Sequence, residues 1–319
     1  MSNQLELPQQ QIEPKLARLD FLLLPVAACI LSLAAILIRW SENEIGSNAT
    51  VFNRLWIAAV AFGLWNGIKA RQYKLSAGLA VQQEPYTIRD IILFVLLAST
   101  ATICLLSWAW SITQTSVANS NLLHNLNPFF ATLGGWLFLG NRFDSRFLMG
   151  LVLALGGTIV IEIEDWQVSS DSFIGDAIAL LSAVFYAASF LVIEQLRTKF
   201  EATTIQLWSC TLGSLFTLPV VLISEDRVFP SSVSGWQAVI CLALLCQVIG
   251  QGLLSYSLKR FSSGFVSLFL LLEPLITAML AWAIFFERLS LLNCLAFFVI
   301  LTGIYLAQSG QGAQKVTTE

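Results

Sequence analysis

Seven polar side chains, Ser116, Asn119, Ser120, Asn121, His124, Asn125 and Asn127, fall within twelve consecutive residues at the start of Ser116–Arg142, a stretch otherwise apolar enough to cross a bilayer. On an α-helix Ser116, Ser120, His124 and Asn127 occupy positions i, i+4, i+8 and i+11, one stripe, while Leu122, Leu126 and Phe129 gather on the other side. Hydroxyls, amides and an imidazole can hold a polar solute by hydrogen bonds, or can tie one membrane helix to another. So dense a set favours the lining of a cavity over helix glue alone. His124 is the only histidine. Without partner ligands it builds no metal site, so no metal or cofactor is expected and the ring acts as a hydrogen-bonding or structural group.

Two further places carry chemistry. Gln247, Gln251 and Ser255 repeat at i, i+4, i+8 beside Tyr256, a second polar stripe. Glu273 stands in the middle of an apolar run, where insertion of a charge costs on the order of 2.5–3.5 kcal/mol, and Pro274 follows it directly. Burial disfavours an ionised carboxylate. Glu273 is therefore read as either a proton-coupling group or a neutral hydrogen-bonding one. Arg54 lies a turn or so inside its own apolar segment, FNRLWIAAV, and could draw an anionic group towards a cavity mouth. Arg39, nearer the interface, reads as a snorkelling side chain. The candidate substrate-binding residues are thus Ser120, His124, Asn127, Gln247, Gln251, Glu273 and Arg54, with Pro128 and Pro274 as paired helix kinks.

The elements that must position these residues come from a duplication. Ser116–Arg142 returns as Ser262–Arg288 at an ungapped offset of 146 (274 − 128), which matches Pro128 with Pro274 and Arg142 with Arg288. The same offset aligns Ser111 with Ser257, Leu122 with Leu268, Trp136 with Trp282 and Gly157 with Gly303. Internal repetition governs the fold reading. The repeat partner of Glu273 is Asn127, which cannot titrate, and the third-span residues matching Gln247 and Gln251 are Ala101 and Leu105. A site between the halves is therefore lined unevenly, which suits a substrate with distinct ends.

Of the 319 residues, 56% are hydrophobic and 12% charged, with mean hydropathy +0.75. Such a chain cannot cover a soluble globule with polar surface and belongs in lipid. A net charge of −3 speaks against nucleic acid as a partner. The six cysteines lie in apolar stretches with no CxxC pair and read as small hydrophobes. Ten spans are predicted, at about Phe21–Ile38, Ala49–Ala70, Ile88–Thr113, Ser116–Gly140, Ser145–Ile163, Phe173–Ile193, Thr203–Ile223, Gly235–Leu258, Ser263–Phe286 and Ser290–Gln308. All Lys and Arg except Arg39, Arg54, Arg227 and Arg288 then share the side of the N-terminus, which places both termini in the cytoplasm. Trp40, Trp166 and Trp236 read as interface residues, Trp108 and Trp110 as belt or cavity wall, and Gly63/Gly67 as a weak GxxxG packing signal. Five spans per half, an odd number, force the second copy to run inverted. The expected fold is an all-α integral membrane protein of ten transmembrane helices in a 5+5 inverted repeat: a tail over 1–20, repeats over 21–163 and 173–308, and a tail over 309–319. Inverted repeats of this kind place substrate sites near the midplane between the halves.

The blocks NLNPFFATLGGWLFLGNRFDSRFLMGLVLALGGTIVI and LLEPLITAMLAWAIFFERLSLLNCLAFFVILTGIYLA resemble the two halves of EamA-type members of the drug/metabolite transporter superfamily. The resemblance implies a carrier in the cell membrane that moves small metabolites, such as amino acids, by alternating access. Export is the expected direction, with a small molecule and the lipid bilayer as partners and a homo-oligomer left open. One departure stands out. The family's Glu after the fourth helix is Asn141 here, whereas Glu287 keeps it in the second half. If that carboxylate seals the inner side in relatives, the contact here is neutral or made by Asp144. Two other classes compete. An intramembrane enzyme would want clustered catalytic groups, and HExxH, GxSxG and paired central carboxylates are missing. A structural or signalling subunit would leave the two stripes and the inverted pairing without a purpose.

Overall fold

The computed structural model describes residues 14–77, 85–115, 117–162, 173–276, 279 and 291–314. Among these residues the regular structure is entirely helical, with one isolated antiparallel bridge between Phe261 and Gln314. Trp166, Glu164, Asp165, Asp171, Trp282, Glu287, Arg288 and Lys315 lie outside the described residues, as does most of the second part of the predicted span Ser263–Phe286.

Helix α1 (Pro14–Leu31) starts ahead of the predicted Phe21 and continues, after a break, into α2 (Ala34–Ser41). At the break the Ser32 hydroxyl donates back to the Cys29 carbonyl at 2.7 Å. Helix α3 (Ser47–Ala77) follows, then α4 (Ile88–Gln114). A capping box starts α4: Thr87 accepts from the Asp90 N–H, and Asp90 accepts from the Thr87 N–H at 2.8 Å. The predicted continuous helix over 116–140 is divided into α5 (Val117–His124) and α6 (Asn127–Leu139). Pro128 explains the division. It has no N–H to give the His124 carbonyl, and its ring crowds that carbonyl, so α6 restarts with proline in its first turn. The freed His124 carbonyl accepts from Asn127 Nδ2 instead, at 3.3 Å.

Next come α7 (Ser145–Glu162), α8 (Phe173–Leu196) and α9 (Ala202–Ser224). Helix α10 (Val233–Cys241) passes through a π-helical stretch, Leu242–Gln251, into α11 (Gly252–Ser257). Helix α12 (Ser263–Leu268) tightens into a 3-10 turn, Phe269–Leu271, just before Pro274. Helix α13 (Leu291–Ser309) closes the chain. Among the described residues six helical stretches are long and apolar enough to cross a membrane: Phe21–Ser41, Ser47–Gln72, Ile88–Gln114, Phe173–Leu196, Ala202–Ser224 and Val233–Ser257. Ser145–Val160, Ser263–Ile276 and Leu295–Ser309 are apolar but shorter. The protein is thus an all-helical, multi-pass membrane protein.

The helices pack in definite pairs: α3 on α9, α4 on α8, α6 on α12, α7 on α13, and α1 on the π stretch. Their buried faces meet in a core that includes Leu24, Leu97, Phe147, Phe190, Phe265 and Leu271. Leu64, Trp65, Phe138, Val152, Phe298 and Tyr305 point outwards, as lipid-facing side chains do. Between membrane helices close backbone approach replaces the hydrophobic drive. That approach occurs at α7 and α13, where a Cβ on Gly150 would strike the Gly303 carbonyl and Ala307, and one on Gly303 would strike Ala154. The GxxxG of Gly63 and Gly67 does not serve this purpose: Gly67 has open space beside it and Gly63 makes only an ordinary contact with Leu207.

Candidate functional site

Two polar networks meet in the middle of the bundle. In the first, buried Arg54 of α3, 8% exposed, donates through Nε to Gln247 Oε1 at 2.8 Å. Gln247 in turn points its Nε2 at Cys210 Sγ, 3.6 Å away on α9. In the second, Gln251 Nε2 donates to the Tyr186 hydroxyl at 3.2 Å. The Tyr186 ring stacks on His124 with centroids 5.3 Å apart, and the Trp108 ring is tilted against His124 at 5.8 Å. His124 Nδ1 and Ser182 Oγ are 2.8 Å apart, and Trp108 Nε1 donates to Asn121 Oδ1 at 3.2 Å.

Glu273 lies within electrostatic range of Arg54 and Tyr186. Tyr186, His124, Gln251 and Glu273 are part-exposed although Ala183, Ala187, Leu271 and Leu272 beside them are buried. The π stretch contributes to this placement. With about one more residue per turn than an α-helix, it keeps Gln247 and Gln251 close to one face and is a form of backbone common at functional sites.

Arg54 is the unusual group. Taking a guanidinium out of water costs several kcal/mol unless it is well paired. Among the described residues Arg54 has no carboxylate in ion-pair range, and its Nη atoms have no hydrogen-bond partner. The Glu273 carboxylate likewise forms no hydrogen bond among the described residues. A guanidinium and a carboxyl group therefore sit in one polar region with hydrogen-bonding capacity to spare.

The predicted site residues do not all converge. His124, Gln247, Gln251, Arg54 and Glu273 come together. Ser120 does not join them, because its hydroxyl lies 2.5 Å from that of Ser111 and ties α5 to α4. Asn127 spends its amide nitrogen on the His124 carbonyl, and its buried Oδ1 has no partner among the described residues. The buried Ser255 hydroxyl also lacks one there. Sequence reasoning missed Ser182, Tyr186 and Cys210. Ser182, Tyr186 and Ser189 stand at i, i+4, i+7 of α8, a stripe that was available but faint in an apolar helix.

The two ends of the bundle are closed by other polar groups. At one end buried Glu194 of α8 accepts from the Ser263 N–H at 2.6 Å and from Asn141 Nδ2 at 3.2 Å. The carboxylate facing Asn141 is thus supplied by Glu194. Asp144 instead accepts from the Phe147 N–H at 2.9 Å, and this bond, with the N–H of Gln311, holds its carboxyl below the usual range. At the other end Glu44 accepts from the N–H groups of Ser231 and Ser232 and from the Ser232 hydroxyl. The Ser232 hydroxyl first, and then these N–H groups, keep the Glu44 carboxyl below its ordinary value.

Residues 19–163 and 173–308 match the EamA-like transporter family. An uncharacterized transporter of Archaeoglobus fulgidus is 24% identical over 203 residues, 62% of this chain and 68% of that protein. The pseudopaline exporter CntI of Pseudomonas aeruginosa is 26% identical over 164 residues, 51% of this chain and 56% of the exporter. A probable amino-acid metabolite efflux pump of Escherichia coli is 22% identical over 196 residues, 59% and 66% of the two chains. The match thus spans little more than half the length of the pseudopaline exporter. A protein of known crystal structure shares the fold, with a TM-score of 0.76 at 18% identity over 91% of this chain and 97% of that one.

Proposed function

Because the chain belongs to the EamA-like transporter family, we propose that it is a secondary carrier that exports a small zwitterionic metabolite, such as an amino acid, by alternating access. The observation that carries this reading is a buried, under-bonded Arg54 with the Glu273 carboxyl within its electrostatic range but outside ion-pair contact. An anionic group of the solute would take the Arg54 Nη atoms, a cationic group would take Glu273, and Gln251, Tyr186 and His124 would line the space between them. A solute that supplies both charges offsets the cost of burying each. The names of the relatives, a pseudopaline exporter and an amino-acid metabolite efflux pump, agree with such a solute.

Ten spans in two inverted halves, 21–163 and 173–308, provide the two related ways to open. The packing supports this division, because exchanging the halves exchanges the helix pairs. Helix α3 on α9 and α7 on α13 map onto themselves, and α4 on α8 maps onto the π stretch on α1. At residue level the Gly150–Gly303 approach maps by the offset of 146 onto Ala296–Gly157, where a Cβ on Gly157 would lie 3.2 Å from the Ala296 carbonyl. In this reading both termini face the cytoplasm of a cell-membrane protein, and so does the Glu194 end.

Flux of radiolabelled amino acids in liposomes containing only this protein tests the proposal. Arg54→Gln is expected to abolish flux of zwitterions. Glu273→Gln, which removes the partner of the solute's cationic group, is expected to lower zwitterion flux strongly; retained flux with accumulation lost under a pH gradient means proton coupling instead, and retained flux and accumulation mean neutral binding. Undiminished zwitterion flux in Arg54→Gln would overturn the assignment of the site.

A further inference from the structure

Glu194 lies where three pieces of chain converge, and the residue is only 3% exposed. It reaches from α8 to Ser263, the first residue of α12, and to Asn141 in the connection that follows α6. The same point joins α6 itself: a Cβ on Gly135 would lie 3.0 Å from Asn141 Nδ2 and 3.7 Å from Ser263 Oγ. One residue further on, Gly264 abuts Thr132, whose hydroxyl a Cβ there would meet at 2.6 Å. Thr132 is buried behind this junction, a turn from Pro128 and on the way to His124. The hydrogen bonds of Glu194 therefore span the seam between α6, from the first half of the chain, and α12, from the second.

A buried carboxylate is costly to leave without donors, so the seam cannot part here while Glu194 keeps both bonds. We propose that Glu194 is the gate residue at this end: its bonds to Asn141 and to the Ser263 N–H hold α6 and α12 together, and their release opens the central site to this side. The carrier reading above supplies the purpose of the opening, but the closure itself can be tested without any solute.

The probe is a membrane-impermeant maleimide applied to each face of vesicles that contain Thr132→Cys, with labelling at position 132 read by peptide mass spectrometry. Gln311→Cys, in the exposed segment beside Asp144, marks the face on which this end lies. Asn141→Asp replaces a donor with a carboxylate against Glu194, and like charges repel. Labelling at position 132 from the marked face is expected to rise by about tenfold, the factor that ~1.4 kcal/mol of lost closure gives. Adding Glu194→Gln to Asn141→Asp restores one donor and one acceptor across the seam and is expected to bring labelling back towards the parent rate. Glu194→Gln alone, which still offers an acceptor to the Ser263 N–H, is expected to give an intermediate rise and keeps the test open if Asn141→Asp does not fold. Unchanged labelling in both single variants, a rise from the opposite face, or no recovery in the double variant would each overturn the gate. Solute flux in the same vesicles is scored separately: pair-dependent labelling without flux of any solute removes the carrier reading and leaves the gate, and flux without pair-dependent labelling removes the gate.

Discussion

At the Glu194 end of the bundle the halves are joined by charged side chains of both signs, whereas at the Glu44 end they are joined by carboxylates and backbone N–H groups. Lys199 meets Asp90 at 2.6 Å and Lys69 meets Glu201 at 2.9 Å, both across the halves and both near Glu194's end. The segment after α13 adds neutral bonds there: the Ser262 N–H donates to Ala313 at 3.1 Å and the Ser262 hydroxyl to Gly312 at 2.6 Å. At the opposite end Glu44 takes the turn that opens α10, Glu225 takes the Asn48 N–H at 3.2 Å, and Asn53 donates to the Val228 carbonyl at 2.7 Å. Among the described residues this end has no ion pair. Both ion pairs among the described residues use lysines of the Glu194 end, whereas Arg39 and Arg227 at the Glu44 end form none. The other end relies on carboxylates at N–H groups near helix starts, where the helix dipole also favours negative charge.

Gly150→Leu drives a side chain into the α13 backbone, which cannot yield as a flexible side chain would. It is expected to lower stability by about 1–3 kcal/mol or more and to loosen both ends alike. Thermal unfolding in detergent measures this, and an unchanged Tm would show that α7 and α13 do not approach as described. Glu44→Ala removes the acceptor shared by Ser231 and Ser232. It should raise maleimide labelling of Asn53→Cys from its own face and leave labelling at position 132 unchanged. A rise at both positions would mean that the two ends are not separate closures.

Acidification acts in the same place with a definite sign. The folded-state pKa of Glu44 lies below the ordinary carboxylate range. Its contribution is therefore fully present above that range and is lost as the pH falls through the lowered value. Labelling at the Glu44 end should stay flat down to the ordinary carboxylate range and rise only below it. The smallest effect is expected from Lys69→Met, which breaks an exposed ion pair of the kind that salt already screens. Its labelling should match the parent protein at high salt. A large change would make surface ion pairs, rather than Glu194, the closure of that end.

The sequence by itself determined the membrane class, the duplication, the two polar stripes and the isolated Glu273, because each is a property of composition or of period along one helix. A stripe reports which face avoids lipid, and His124, Gln247 and Gln251 were legible on that ground. It does not report which neighbour that face meets. Ser120 belongs to the same stripe as His124, yet it bonds to Ser111, since the turn before Pro128 and the course of α4 decide what lies opposite. Arg54 meets Gln247 across 193 residues, and Glu194, which fell just past a predicted span, is buried only because α6 and α12 close over it. The glycines show the same limit. Gly63 and Gly67 have the spacing of a packing motif but make no close backbone approach, while Gly150 with Ala154 and Gly303 with Ala307, small residues four apart on α7 and α13, do. Close approach is a relation between two backbones, and only the tertiary structure brings the second one near.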